Sequence, residues 1–148
     1  MANERHIAHL DLDTFFVSVE KLRNPKLIGK PILIGGSNDR GVVAACSYEA
    51  RKFGIHSAMP MYMARRLCSH AIVVKSDFEA YSKYSQIVTD IVKDTVPVFE
   101  KASIDEFYVN LTGMDKFHGC KKFTDELRRK VIKESGLPVS YGLASNKL

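Results

Sequence analysis

Two short acidic strings interrupt otherwise apolar stretches: Asp11-Leu12-Asp13 closes the run 6–10, and Asp105-Glu106 separates the runs 98–104 and 107–111. The chain carries 22 Lys and Arg against 17 Asp and Glu, a net charge of +5. Acids within apolar runs of such a chain call for a positive partner, because an uncompensated carboxylate is costly to bury. Carboxylate oxygens are hard donors. With no cysteine or histidine set required beside them they select Mg2+ or Mn2+ over zinc, and Mg2+ characteristically divides its coordination between a few carboxylates and substrate phosphates. Two such ions, one on an attacking hydroxyl and one on a triphosphate, are the arrangement for in-line phosphoryl transfer. Taken singly, Asp-x-Asp and Asp-Glu are more often turns or helix caps. The chemistry therefore depends on elements that bring the two strings together.

Periodicity supplies those elements. Apolar residues through 6–11 predict a short buried strand that ends in carboxylates. Phe15, Phe16, Val19 and Leu22 recur at helical spacing over 14–22, and Pro25 limits the continuation. The runs 31–36 and 41–46 form a hairpin-like pair of strands. Ser47 caps a short helix, 48–53, that Gly54 ends, and Pro60 opens another over 61–68. Ser76-Asp77-Phe78-Glu79 has the form of a capping box before a long helix whose apolar stripe is Tyr81, Tyr84, Val88, Ile91 and Val92, ended by Pro97. The strands 98–104 and 107–111 make a hairpin with Asp105-Glu106 at its tip. A second long helix, 120–135, shows Phe123, Leu127 and Val131 on one face before Gly136, and 139–144 is the closing strand.

With 23–75 set aside, the order is strand, helix, strand, strand, helix, strand. This is the split β-α-β, ferredoxin-like pattern: an α+β fold with an antiparallel sheet and two long helices, into which 23–75 is inserted as a small subdomain. In that sheet the first strand lies beside the hairpin, which places Asp11 next to Asp105 and Glu106. Like charges so close raise each other's pKa unless cations occupy the gap. Nucleotide cyclases and their relatives also place acids on this kind of sheet, so the fold alone leaves several chemistries open.

At 148 residues, 45% hydrophobic and 26% charged, the chain can bury one core of ordinary globular composition. No apolar run approaches the ~20 residues of a membrane span. The opening Met1-Ala2-Asn3-Glu4-Arg5 lacks the apolar core of a secretory signal, so the expectation is a soluble cytoplasmic protein with no membrane partner. Cys46, Cys68 and Cys120 are odd in number and widely spaced, which speaks against structural zinc and a disulfide framework. The positive balance favours polyanionic partners and equally describes an ordinary basic surface.

The residues themselves carry a resemblance. Leu10-Asp11-Leu12-Asp13-Thr14-Phe15-Phe16-Val17-Ser18-Val19-Glu20 resembles the opening motif of Y-family DNA polymerases. Ser47-Tyr48-Glu49-Ala50-Arg51-Lys52-Phe53-Gly54-Ile55-His56-Ser57-Ala58-Met59-Pro60-Met61 resembles that family's fingers motif, nearest to the bacterial polymerase IV branch. Ala102-Ser103-Ile104-Asp105-Glu106-Phe107-Tyr108-Val109 is similar to its Ser-x-Asp-Glu catalytic hairpin, and Asn146-Lys147 to the start of its Asn-Lys motif.

The resemblance implies a translesion polymerase whose ferredoxin-like palm is 1–22 and 76–148 and whose fingers are 23–75, with the helical thumb and little finger absent from this chain. It implies two Mg2+ ions, Mn2+ substituting, held by Asp11, Asp105, Glu106 and the backbone carbonyl of Leu12. Tyr48, Arg51 and Lys147 match the residues that hold the triphosphate. Phe16 matches the steric gate against a ribose 2′-hydroxyl; Phe15, in the same nucleotide-side neighbourhood, is the one expected to pack inward. Asp13 matches a position that is not a metal ligand and is expected to cap the helix from Thr14. Ala45 stands where many relatives carry a hydroxyl near the phosphates.

The implied partners are primer-template DNA, a deoxynucleoside triphosphate (dNTP) and a sliding clamp reached through segments outside this chain. The implied location is a bacterial-type cytoplasm, with the nucleoid when acting. Without the thumb and little finger the fragment is expected to be weak or inactive alone. Two rival readings use the same sequence. One is a nucleotide cyclase-like palm enzyme, against which Phe16 and the Tyr48 to Arg51 string argue. The other is a non-catalytic module that binds nucleic acid or a partner through the basic helix around Arg128-Arg129-Lys130, against which the intact acids argue.

Overall fold

The computed structural model describes residues 6–36, 40–113 and 119–144. In chain order the elements are β1 (Ile7–Leu12), α1 (Phe15–Arg23), β2 (Ile32–Gly35), β3 (Val43–Cys46), α2 (Tyr48–Arg51), α3 (Met61–Leu67), β4 (Ile72–Val74), α4 (Phe78–Thr95), β5 (Phe99–Ser103), β6 (Glu106–Asn110), α5 (Cys120–Ser135) and β7 (Val139–Ala144). They form two compact units, one made of Met1–Asp13 with Ser82–Leu148, the other of Thr14–Tyr81. Among the described residues no helix is long and apolar enough to cross a membrane.

The first unit is built on a sheet in the order β5-β6-β1-β7, with every neighbouring pair antiparallel. This is the split arrangement the sequence predicts, with the hairpin strands on one side of β1 and the closing strand on the other. Strand alternation divides β1: Ala8, Leu10 and Leu12 are buried, whereas His9 and Asp11 are half-buried. On β6 the same period buries Phe107 and Val109 and leaves Glu106, Tyr108 and Asn110 half-buried. Helix α5 packs on β7 and β1 and buries Cys120, Thr124, Leu127 and Val131; Leu127 and Val131 are on the face its spacing predicts, whereas Phe123 is only half-buried and Thr124 beside it is buried instead. It ends at Gly136, whose φ of 78° is the left-handed cap that glycine adopts without strain.

The second unit holds a three-stranded sheet, β3-β2-β4. The pairing of β2 with β3 is the expected hairpin-like one. Strand β4, parallel to β2 over Ile72–Val74, is not among the predicted elements; a run of three apolar residues is too short to display a period. Ser47 caps α2 as expected, its hydroxyl accepting from Ala50 N at 3.3 Å. The cap of α4 falls one residue later than the predicted box. Asp77 Oδ1 accepts from Ala80 N at 3.1 Å, because the helix begins at Phe78 and Asp77 is the residue before it.

Helix α1 groups with Thr14–Tyr81, whereas the motif-based division assigns 14–22 to the palm. Its side chains explain the grouping: Tyr81 Oη donates to Glu20 Oε2 at 2.7 Å, and Arg23 pairs with Glu20 at 3.0 Å and with Asp77 at 2.9 Å. These bonds tie α1 to the first turn of α4.

Candidate active site

Register brings the acids together. Asp11 lies directly opposite Glu106 in the β1–β6 pairing, and Leu12 N donates to Asp105 O at 2.9 Å, drawing the hairpin turn onto the end of β1. Carboxylate oxygens of Asp11, Asp105 and Glu106 all lie within 4.8 Å of one another. Ser103 Oγ donates to Asp105 Oδ1 at 2.9 Å and orients that carboxylate. Burial raises the Asp11 carboxyl above its ordinary range, the charges of Asp105, Glu106 and Asp13 raise it further, and His9 opposes them. The set fits a hard divalent cation: the donors are all oxygens, they converge, and a cation would relieve their mutual repulsion. Leu12 has a buried side chain, so only its backbone is offered at this end of the strand.

Asp13 lies outside that cluster, as expected, but it does not cap α1. The cap position is Thr14, at φ 41° with no side-chain cap hydrogen bond, because the helix begins at Phe15 and Asp13 is one residue too early. Its carboxylate accepts instead from Ser140 Oγ at 2.8 and 2.7 Å, and its amide donates to Pro138 O at 2.9 Å. Asp13 thus fastens the end of β1 to β7.

Phe15, Phe16, Tyr48 and Arg51 belong to the second unit. Phe15 is buried, packing inward as its neighbourhood suggests. Phe16 is half-buried, its ring stacked on Tyr81 with centroids 4.4 Å apart and edge-on to Phe78 at 5.8 Å. Tyr48 is 56% exposed, and the Arg51 guanidinium lies 5.1 Å above its ring centroid. That contact holds an aromatic hydroxyl and a bidentate donor side by side. Lys147, the third predicted phosphate holder, lies outside the described residues.

Sequence reasoning missed two pairings. Tyr81 reads as one member of an apolar stripe and Glu20 as part of a motif string; a glutamate in a helix that buries Phe15, Val17 and Val19 is the signal that a buried donor must meet it. The second is His9 on Tyr108, rings 5.0 Å apart and inclined by 28°, which only the strand register reveals.

The impB/mucB/samB family model matches residues 10–148. A DNA polymerase IV of Treponema denticola is 49% identical over 148 residues, covering 99% of this chain and 38% of that protein. A DNA polymerase IV of Dehalococcoides mccartyi is 43% identical over 146 residues, covering 97% and 37%. Among solved structures, DinB from Sulfolobus solfataricus aligns with a TM-score of 0.89 at 30% identity, over 96% of this chain and 42% of that one. An insertion ternary complex of Dbh DNA polymerase aligns with a TM-score of 0.89 at 28% identity, over 96% and 43%. The chain spans about two fifths of the length of these relatives. With its motifs inside a matched segment that covers nearly the whole chain, the chain belongs to the impB/mucB/samB family, the Y-family that those motifs resemble.

Proposed function

We propose that the chain carries the palm and fingers of a template-directed, translesion-type DNA polymerase that joins a dNTP to a primer 3′-hydroxyl. The four-stranded sheet serves as palm and the small three-stranded sheet with its helices as fingers. The observation that carries the reading is the convergence of Asp11, Asp105 and Glu106 within 4.8 Å in a chain of this family. These acids, with the Leu12 carbonyl, hold the divalent cations, for which Mn2+ can substitute. Two bound Mg2+ ions supply activation of the 3′-hydroxyl and neutralisation of the triphosphate.

The chain's own residues do the rest. Ser103 keeps Asp105 oriented, while Tyr48, Arg51 and Lys147 hold the triphosphate. Phe16 stands under the sugar and excludes a 2′-hydroxyl, with Phe15 packed behind it. No side chain of the set needs to act as a dedicated base. The partners on this reading are primer-template DNA and the dNTP in the cytoplasm, and clamp contact belongs to segments outside these residues.

The test is primer extension by a protein of the relatives' full length carrying this sequence. Asp105→Ala or Glu106→Ala lowers extension by about 10²–10³-fold or more while the melting temperature stays nearly unchanged. Retained extension would sink the reading. A cyclic monophosphate in place of an extended primer favours the cyclase-like alternative.

A further inference from the structure

We infer that His9, on the metal-holding reading above, is a positioning residue for Glu106, locked by Tyr108 and poised to donate from Nε2 to the carboxylate that takes up a divalent cation. Strand period sets His9 on the same face of β1 as Asp11, and Tyr108 on the same face of β6 as Glu106. The register makes His9–Tyr108 the next pair along that face from Asp11–Glu106, with Leu10–Phe107 between them pointing to the other face. The imidazole is stacked on the Tyr108 ring at 5.0 Å, a contact that restricts its orientation. Across the other edge of β1 its partner is Gly142, and nothing lies within 4 Å of where a Cβ would stand there.

His9 Nε2 is 4.0 Å from Glu106 Oε2, beyond hydrogen-bond length. The imidazole as a whole is 38% exposed, but Nε2 itself is shielded from water and has no hydrogen-bond partner among the described residues. A shielded polar atom without a partner is uncommon enough to need a reason. Carboxylates that ligate metals are ordinarily fixed by a second hydrogen bond, and Ser103 already supplies one to Asp105 at 2.9 Å. A small swing of the Glu106 carboxylate gives it the equivalent bond from His9. Simple packing of the sheet face accounts for the stack and leaves the unpaired nitrogen unexplained.

The test is Mn2+ binding to this chain, read as free Mn2+ by electron paramagnetic resonance, with thermal melts as the folding control. His9→Phe keeps a ring on Tyr108 and removes the donor; it weakens Mn2+ binding by about 10-fold or more with little change in melting temperature. His9→Gln, whose amide nitrogen can reach the position of Nε2, restores most of the affinity. Binding by His9→Phe equal to that of the unmodified chain, or no recovery in His9→Gln, overturns the role of His9. Glu106→Ala binding Mn2+ as tightly as the unmodified chain overturns instead the metal-holding reading. If a His9 variant does not fold, the 15N resonance of His9 Nε2 in the unmodified chain decides: movement on Mg2+ saturation supports the bond, and a resonance that stays in place overturns it.

Discussion

Glu20 is 5% exposed on a helix that also buries Phe15, Val17 and Val19. Its carboxylate is tolerated there because Tyr81 donates to it at 2.7 Å and Arg23 pairs with it at 3.0 Å. Tyr81→Phe keeps the ring that Phe16 stacks on and removes the donor. It is expected to lower unfolding free energy by about 1–3 kcal/mol, measured by urea denaturation. The pH dependence has a definite sign. Burial, and then the bond to Glu20, push the Tyr81 hydroxyl above its ordinary value of 10.0. The fold therefore holds that proton more tightly than the unfolded chain does. The stabilisation is complete below the ordinary value and is lost as pH rises beyond it. Denaturation curves collected on either side of that value should show the decline, and Tyr81→Phe should flatten it. Asp13 shows the limit of reading single residues: its type and place predict a cap, and a one-residue difference in where the helix begins hands its carboxylate to Ser140.

Ser47 joins two elements. Its hydroxyl accepts from Ile32 N at 2.8 Å at the start of β2 and from Ala50 N at 3.3 Å in α2, and donates to Lys30 O at 3.2 Å. Ser47→Ala leaves those groups unpaired in a buried place, with an expected loss of about 1–3 kcal/mol. Faster amide exchange at Ile32 and Ala50 would report where the loss falls, and it would loosen the short helix that presents Tyr48 and Arg51. On β2, a Cβ at Gly35 would collide with the backbone carbonyl oxygen of Val42. The obstacle is backbone rather than a flexible side chain, so Gly35→Ala must shift the β2–β3 pairing. About 1–3 kcal/mol of stability is expected to go with it, visible as a lower denaturation midpoint. Long elements were legible in the sequence: α5 runs from Cys120 to Ser135 as its spacing predicts, and β5 and β6 form the expected hairpin, with Asp105 in its turn and Glu106 as the first residue of β6. Strand β4 was not, because its three residues take their identity from a parallel partner about forty positions away, Ile32–Ile34.

Across the whole chain, the meeting of Asp11 with Asp105 and Glu106 was foreseeable from the element order, whereas the limits of the compact units were not. Those limits turn on pairings such as Tyr81 with Glu20, 61 residues apart, which no local pattern encodes. A molecule with these parts should bind nucleotide. Mg2+ with a dNTP at about 100 times its dissociation constant should stabilise the chain by about 2.7 kcal/mol, seen as a higher melting temperature. No shift at millimolar nucleotide would count against binding by these residues. Strand β1 carries a further consequence for how the protein comes into being. It leaves the ribosome before every other strand of its sheet, yet it pairs with β6 and β7, the latter ending at Ala144. Thr14–Tyr81 is contiguous and can close its own sheet while β1 still lacks neighbours. Pairings so distant in sequence close late and slow folding. A nascent chain halted before β7 therefore displays Tyr48 and Arg51 on a finished small unit, with the sheet that holds Asp11 still incomplete.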